Sequence, residues 1–171
     1  MSVGYKAIQW SRHKRVYDLA IAGAAVGSIA LFFVIGKGVW GEGNSDPQIA
    51  IRALGVTAIV LLHVILAIGP LARLDRRFLA LLFNRRHLGV TMFLVALAHA
   101  GLSTLYYHGF GDVNPLVSVL SGGPGERGVV PSGGLGGIAF EVYGAAALLI
   151  LFVMAATSHD FWLRNLGSRA W

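Results

Sequence analysis

Two of the six histidines fall inside stretches that are otherwise apolar. His63 lies in "TAIVLLHVILAIGPL" and His99 in "LGVTMFLVALAHAGL". An ionisable side chain at membrane depth needs a partner, and such residues are functional candidates by default. Three roles are open to these imidazoles: a hydrogen bond to a neighbouring helix, a proton relay that includes Glu141, or ligation of a metal cofactor. The other four histidines lie in basic or interfacial positions, where contact with water or headgroups is the simpler interpretation: His13, His87, His108 and His159.

Among metal cofactors, haem suits these imidazoles better than zinc does. Zinc usually takes four ligands, whereas the chain has no cysteine and few acidic residues in its apolar stretches. Haem needs only one or two axial ligands and an apolar slot between helices. Small residues offer room for such a slot: Gly89, Ala96, Ala98, Ala100, Gly101, Ser103, Gly144, Ala145, Ala146 and Ala147. The same residues also allow helices to pack closely without a cofactor, so both interpretations stay open.

The composition indicates an integral membrane protein. Of the 171 residues, 56% are hydrophobic and 13% are charged, whereas a soluble domain is about 45–50% apolar and about 25% charged. In a chain this apolar, a net charge of +6 is typical of basic residues that flank membrane spans. We therefore expect contact with a lipid bilayer and no nucleic-acid partner. The glycine-rich segments lack the Lys-Ser/Thr of a phosphate-binding loop, so no motif indicates hydrolysis or group transfer.

Four segments are long enough to cross a hydrocarbon core, which requires about 20 mostly apolar residues. In lipid they must be helical, because the backbone has no water to bond with. The sequence therefore predicts an all-α bundle of four transmembrane helices, a single domain over 1–171, with spans at about 17–35, 49–71, 88–107 and 135–157. The connection over 72–86, "ARLDRRFLALLFNRR", is basic and amphipathic. It predicts a short helix on the membrane surface between the second and third spans.

The distribution of lysine and arginine predicts the orientation. With the N-terminus in the cytoplasm, eleven of the 14 basic residues face inside and only Lys37, Arg52 and Arg127 face outside. Such an excess follows the positive-inside rule. Both termini are therefore predicted to be cytoplasmic.

Three segments together resemble a known family. In order, they are "LAIGPLARL", "NRRHLGVTMFLVALAHAG" and "ATSHDFWLRNLGSRAW". Over about 52–171 the chain is similar to the ferric reductase-like transmembrane superfamily. Two of its groups look similar: the b-haem membrane subunit of the bacterial periplasmic methionine-sulfoxide reductase system, and relatives linked to Rieske-type proteins.

The resemblance implies specific roles. The family pattern of Arg-Arg, one residue, Leu-Gly and an apolar run ending in His is matched here by Arg85, Arg86 and His99. His99 is then an axial ligand of haem b, and the two arginines are suited to pair with haem propionates, besides anchoring the span. The family's opposing ligands follow the last matched segment. We therefore expect them outside this chain, in further sequence or a separate polypeptide. His63 matches no family ligand and is a second candidate ligand by its depth alone.

The resemblance also implies a function. We expect a multi-pass protein of the bacterial inner membrane that holds one or two haems b. It would carry electrons between a quinone or flavin donor and a redox partner, such as a Rieske-type or periplasmic reductase protein. It would thus be an electron-transfer subunit of an oxidoreductase rather than a complete enzyme. Two alternatives stay open: a cofactor-free structural or assembly subunit of a respiratory or photosynthetic complex, and a proton or small-solute pathway using His63, His99 and Glu141.

The orientation can be tested directly because the chain contains no cysteine. We predict that Asn44→Cys reacts with a membrane-impermeant maleimide in intact cells, since residue 44 lies between the first two spans. Arg76→Cys should react only after the membrane is permeabilised. Labelling of Arg76→Cys in intact cells would contradict the predicted orientation.

Overall fold

The computed structural model describes residues 12–41, 43–109, 114–121 and 140–157, and within these ranges the chain is helical with no β-strand. The elements in chain order are α1 (Arg12–Trp40), α2 (Asp46–Leu74), a 3₁₀ turn (Arg76–Phe78), α3 (Leu79–His108), α4 (Pro115–Ser121) and α5 (Phe140–Thr157).

Four of these helices, α1, α2, α3 and α5, are long and apolar enough to cross a membrane. The predicted four-helix membrane bundle is thereby confirmed, and the protein is a multi-pass membrane protein. The helices run beyond the predicted spans because apolarity marks only the part in hydrocarbon, whereas a helix continues into the interface. Thus α1 extends to Trp40, past the predicted end at Ile35. The predicted start of the fourth span at 135 lies outside the described residues.

A short turn joins α1 to α2. The Ser45 backbone N–H donates to Gln48 Oε1 at 2.9 Å, which satisfies one of the free donors at the start of α2. Lys37 Nζ, in the last turn of α1, lies 3.0 Å from Asp46 Oδ2. At Gly36 an added Cβ would stand 2.9 Å from Ile49 Cγ2. Glycine at this position therefore lets the end of α1 approach the start of α2 closely.

The connection between α2 and α3 differs from the predicted surface helix over 72–86. Asp75 has an extended backbone, with φ −140° and ψ 129°, and ends α2. Its Oδ1 accepts a hydrogen bond from the Arg77 N–H at 2.9 Å, and the 3₁₀ turn follows. The chain then enters α3 directly at Leu79, because "LALLFNRR" contains no glycine or proline to interrupt a helix. The basic segment is thus divided between the end of α2, one turn and the first two turns of α3.

The packed core lies mainly between α2 and α3. One cluster joins Ile65 and Ile68 of α2 to Leu88 and Met92 of α3. A second cluster joins Ala25 of α1, Ala58 of α2 and Val95 of α3. In contrast, α5 exposes most of its circumference, including Leu149, Ile150, Phe152, Val153 and Met154. In a membrane this apolar surface faces lipid or another helix.

Two isoleucines of α2 provide a test of this packing. Ile68 is 1% exposed and Ile59 is 57% exposed. We predict that Ile68→Ala lowers the free energy of unfolding in mixed micelles by on the order of 2 kcal/mol, because it leaves a cavity. Ile59→Ala should have a much smaller effect, since its side chain faces outward. Equal effects of the two substitutions would contradict the described core.

Candidate functional site

His99 of α3 lies against α2 at a glycine. A Cβ added at Gly55 would stand 2.9 Å from His99 Cε1, 3.2 Å from Nδ1 and 3.5 Å from Nε2. Real Cβ atoms essentially never approach another heavy atom as closely as the first of these distances. The imidazole therefore occupies space that a side chain at position 55 would take.

A hydrogen bond fixes the tautomer of His99. Its Nδ1 is 2.9 Å from the carbonyl oxygen of Ile51. Because a carbonyl oxygen only accepts, Nδ1 carries the proton, and the lone pair of the neutral ring is then on Nε2. Metal-ligating histidines are commonly held in this way, with the second ring N–H donated to a backbone carbonyl. The imidazole is thus in the form that can offer Nε2 to a metal.

Neither Ile51 nor Gly55 was identified as a site residue from the sequence. A backbone carbonyl has no signature in the sequence, because every residue has one. A lone glycine within an apolar helix does carry information, since it costs helix stability and usually has a packing reason. Gly55 in "IRALGVTAIV" could therefore have indicated a close approach, but not which group approaches.

His63 does not share the surroundings of His99. Its Nδ1 lies 2.8 Å from the carbonyl oxygen of Ile59, one turn earlier in the same helix, and the residue is exposed. His63 is eight residues beyond Gly55, which is about 12 Å along α2 and about 80° around it. The depth by which His63 became a candidate ligand therefore does not bring it beside His99. That depth was judged from the ends of apolar runs, whereas the pairing of α2 with α3 sets the actual register.

The N-terminal part of α3 contacts α1 through His87, which we expected to meet only water or headgroups. His87 Nδ1 lies 2.9 Å from Asp18 Oδ1 of α1, and the two side chains are 37% and 35% exposed. Arg85 and Arg86 are exposed beside this pair. Arg85 is 14 residues from His99, or about 21 Å along α3. Pairing of the two arginines with haem propionates stays a prediction.

At the opposite end of α3, two contacts fix neighbouring segments. His108 is 4% exposed, and its Nδ1 lies 2.8 Å from Ser118 Oγ of α4. The Tyr106 hydroxyl lies 2.8 Å from Ser45 Oγ, at the start of α2. His108 is therefore a buried contact to α4 rather than an exposed interface anchor.

One carboxyl oxygen of Glu141, in the first turn of α5, is buried. This oxygen, Oε2, has no hydrogen-bond partner among the described residues.

The described residues hold no group of three or more His, Asp or Glu side chains that could bind a metal ion. A groove of about 230 Å³ between α1 and α2, lined by residues such as Phe32 and Val60, does not include His99. The side chain of His13 and all of His159 lie outside the described residues. Within the described part of the chain, the chemistry available at His99 is therefore that of a single histidine ligand.

Residues 54–171 match the family described as "Ferric reductase like transmembrane component". The match covers more than half of the chain and includes Gly55, His63, Arg85, Arg86 and His99. No curated protein and no solved structure gives a significant match.

The Asp18–His87 pair joins α1 to α3 and can be tested by a double-mutant cycle. We predict that Asp18→Asn and His87→Gln show a coupling free energy of about 0.5–1 kcal/mol, because the pair is partly exposed to screening. The control is the Asp75–Arg77 pair, whose atoms are 3.9 Å apart and whose arginine is 91% exposed. That pair should show no measurable coupling. Additive effects of Asp18→Asn and His87→Gln would contradict a contribution of this contact to helix association.

Proposed function

Because the chain belongs to the ferric reductase-like transmembrane family, we propose that it binds haem b through His99 and carries electrons within the membrane. The family itself indicates a membrane electron-transfer component. The finer assignment, to haem and to this histidine, is the proposal.

The observation that carries the proposal is the hydrogen bond from His99 to Ile51. Nδ1–H is donated to the Ile51 carbonyl at 2.9 Å, so the Nε2 lone pair is available for iron. A haem bound there would supply one-electron exchange between ferric and ferrous iron. The chain's own contribution is to hold the imidazole in one tautomer and against a neighbouring helix, inside a layer that excludes water.

We propose that a second residue that would hold the same iron lies outside the described residues. Such a residue would have to lie close to His99. His63, about 12 Å from Gly55 along α2, hydrogen-bonds within its own helix and lies on an exposed face. It is therefore the weaker candidate for the same iron. Its ligation of a second haem is a further hypothesis.

We propose further partners from the exposed surfaces. Arg85 and Arg86 would bind carboxylates or phosphates at the membrane surface, such as haem propionates or anionic lipid headgroups. The apolar face of α5 offers room for another membrane subunit. A quinone or flavin donor, and a Rieske-type or periplasmic reductase partner, follow from the resemblance to the methionine-sulfoxide reductase and Rieske-linked groups. A location in the bacterial inner membrane follows from the same resemblance.

One observation favours the cofactor-free alternative. The hydrogen bond to Ile51 satisfies the only donor of neutral His99, so the residue is stable in hydrocarbon without any metal. On this view, the chain is a structural subunit of a larger complex, and His99 holds α2 to α3.

Haem retention after substitution of each intramembrane histidine distinguishes the two functions. We predict that His99→Ala removes most of the haem from folded, membrane-inserted protein, because it deletes the axial nitrogen. His63→Ala is the matched control, since it removes an imidazole from a neighbouring span, and it should retain the haem held by His99.

Full retention of haem in His99→Ala would refute the assignment. A wild-type protein that folds, assembles with its partners and holds no haem would favour the structural subunit. Size-exclusion chromatography and circular dichroism of each variant establish that the comparison is made on folded protein.

A further inference from the structure

We infer that Gly55 is a positioning residue for His99: by lacking a side chain, it exposes the Ile51 carbonyl and so sets the ring's tautomer and the placement of Nε2. The consequence for haem rests on the proposed function, whereas the placement of the His99 ring does not depend on it.

The turn of α2 between Ile51 and Gly55 leaves the Ile51 carbonyl uncovered. Within the helix, the Ile51 carbonyl accepts the backbone N–H of residue 55. The Cα–Cβ bond of a helical residue tilts toward the N-terminus, so a side chain at position 55 would lie over the turn that contains residue 51. A glycine at 55 leaves this turn uncovered. The carbonyl can then accept a second hydrogen bond, from the other helix.

The His99 ring occupies the space that a Cβ at position 55 would need. The His99 ring presents Cε1, flanked by its two nitrogens, to the position of the missing Cβ, at 2.9, 3.2 and 3.5 Å. A methyl group there would have to displace the ring. Displacement would lengthen or break the Nδ1–H bond to Ile51, and the tautomer would no longer be fixed by α2.

The other glycines of the described spans have different surroundings. At Gly23, Gly27, Gly69, Gly89, Gly101 and Gly144, an added Cβ meets no counted atom within 4 Å. At Gly36 it meets apolar atoms of Ile49 and Trp40. Among the glycines of the described spans, Gly55 is thus the one that faces an ionisable side chain.

The positioning role predicts effects that simple packing does not. A fixed donor bond from Nδ1 increases the electron-donating strength of Nε2 toward a metal. Loss of that bond should change the tautomer in the free protein, and the haem content and midpoint potential in the loaded protein. A glycine needed only for close packing would alter stability and leave these properties of the surviving folded protein unchanged.

The test compares Gly55→Ala with Gly69→Ala on the same helix and Gly27→Ala on α1, where an added Cβ also meets no counted atom within 4 Å. ¹⁵N NMR of ring-labelled histidine, with His99 assigned by its loss in His99→Ala, reports the tautomer without any haem. We expect the Nδ1–H form in the wild type and in both controls. In Gly55→Ala we expect a mixture or the Nε2–H form. Haem content should fall severalfold in Gly55→Ala alone, or its midpoint potential should shift.

A Gly55→Ala protein that keeps the Nδ1–H tautomer, haem content and midpoint potential of the wild type would overturn the inference. If Gly55→Ala does not fold, a measurement on the wild type tests whether the Ile51 carbonyl holds the His99 ring. Dipolar recoupling between His99 ¹⁵Nδ1 and Ile51 ¹³C=O should show a separation of about 4 Å, from the 2.9 Å hydrogen bond and the carbonyl bond length. No measurable coupling would overturn the inference. A wild type without haem would refute the proposed function, while the tautomer comparison would still decide the role of Gly55.

Discussion

The hydrogen bond between His99 and the Ile51 carbonyl is the constraint on which the rest of the arrangement depends. An imidazole in hydrocarbon has no water to bond with, so the protein must supply its partner. A side chain at position 55 would lie over the turn that contains the Ile51 carbonyl. Gly55 removes that side chain, and α3 can then bring His99 onto α2 with Nδ1 at 2.9 Å from the oxygen. The core clusters between α2 and α3 follow the same helix pairing.

The helix α3 makes polar contacts at both of its ends and near its middle. His87 pairs with Asp18 of α1 at one end, His99 bonds α2 within the membrane, and His108 bonds Ser118 of α4 at the other end. Each contact fixes a different neighbour, so α3 is the element to which the others are attached. The flanking helices α1 and α5 expose broad apolar surfaces, which suits a subunit that packs against lipid or further helices. The packed α2–α3 pair is a suitable scaffold for a fixed metal ligand.

The sequence was sufficient for the features that depend on composition and length. Four apolar runs predicted four helices, because hydrocarbon leaves the backbone no alternative, and the type and depth of His99 made it a candidate. The sequence could not predict features that depend on register. The partner of His99 is a backbone carbonyl, the separation of His63 from His99 follows from the pairing of α2 with α3, and one extended residue, Asp75, ends α2 inside the segment predicted as a single surface helix. The first two features depend on contacts between distant segments, which residue patterns alone do not encode.

Whether His99 offers Nε2 to a haem iron is tested by a reduced-minus-oxidised optical spectrum of protein purified in mild detergent with its co-purifying subunits. We predict a b-type difference spectrum, with a sharpened α-band on reduction and at least one haem for each folded chain. A folded, fully assembled protein with no haem absorption in either redox state would contradict it.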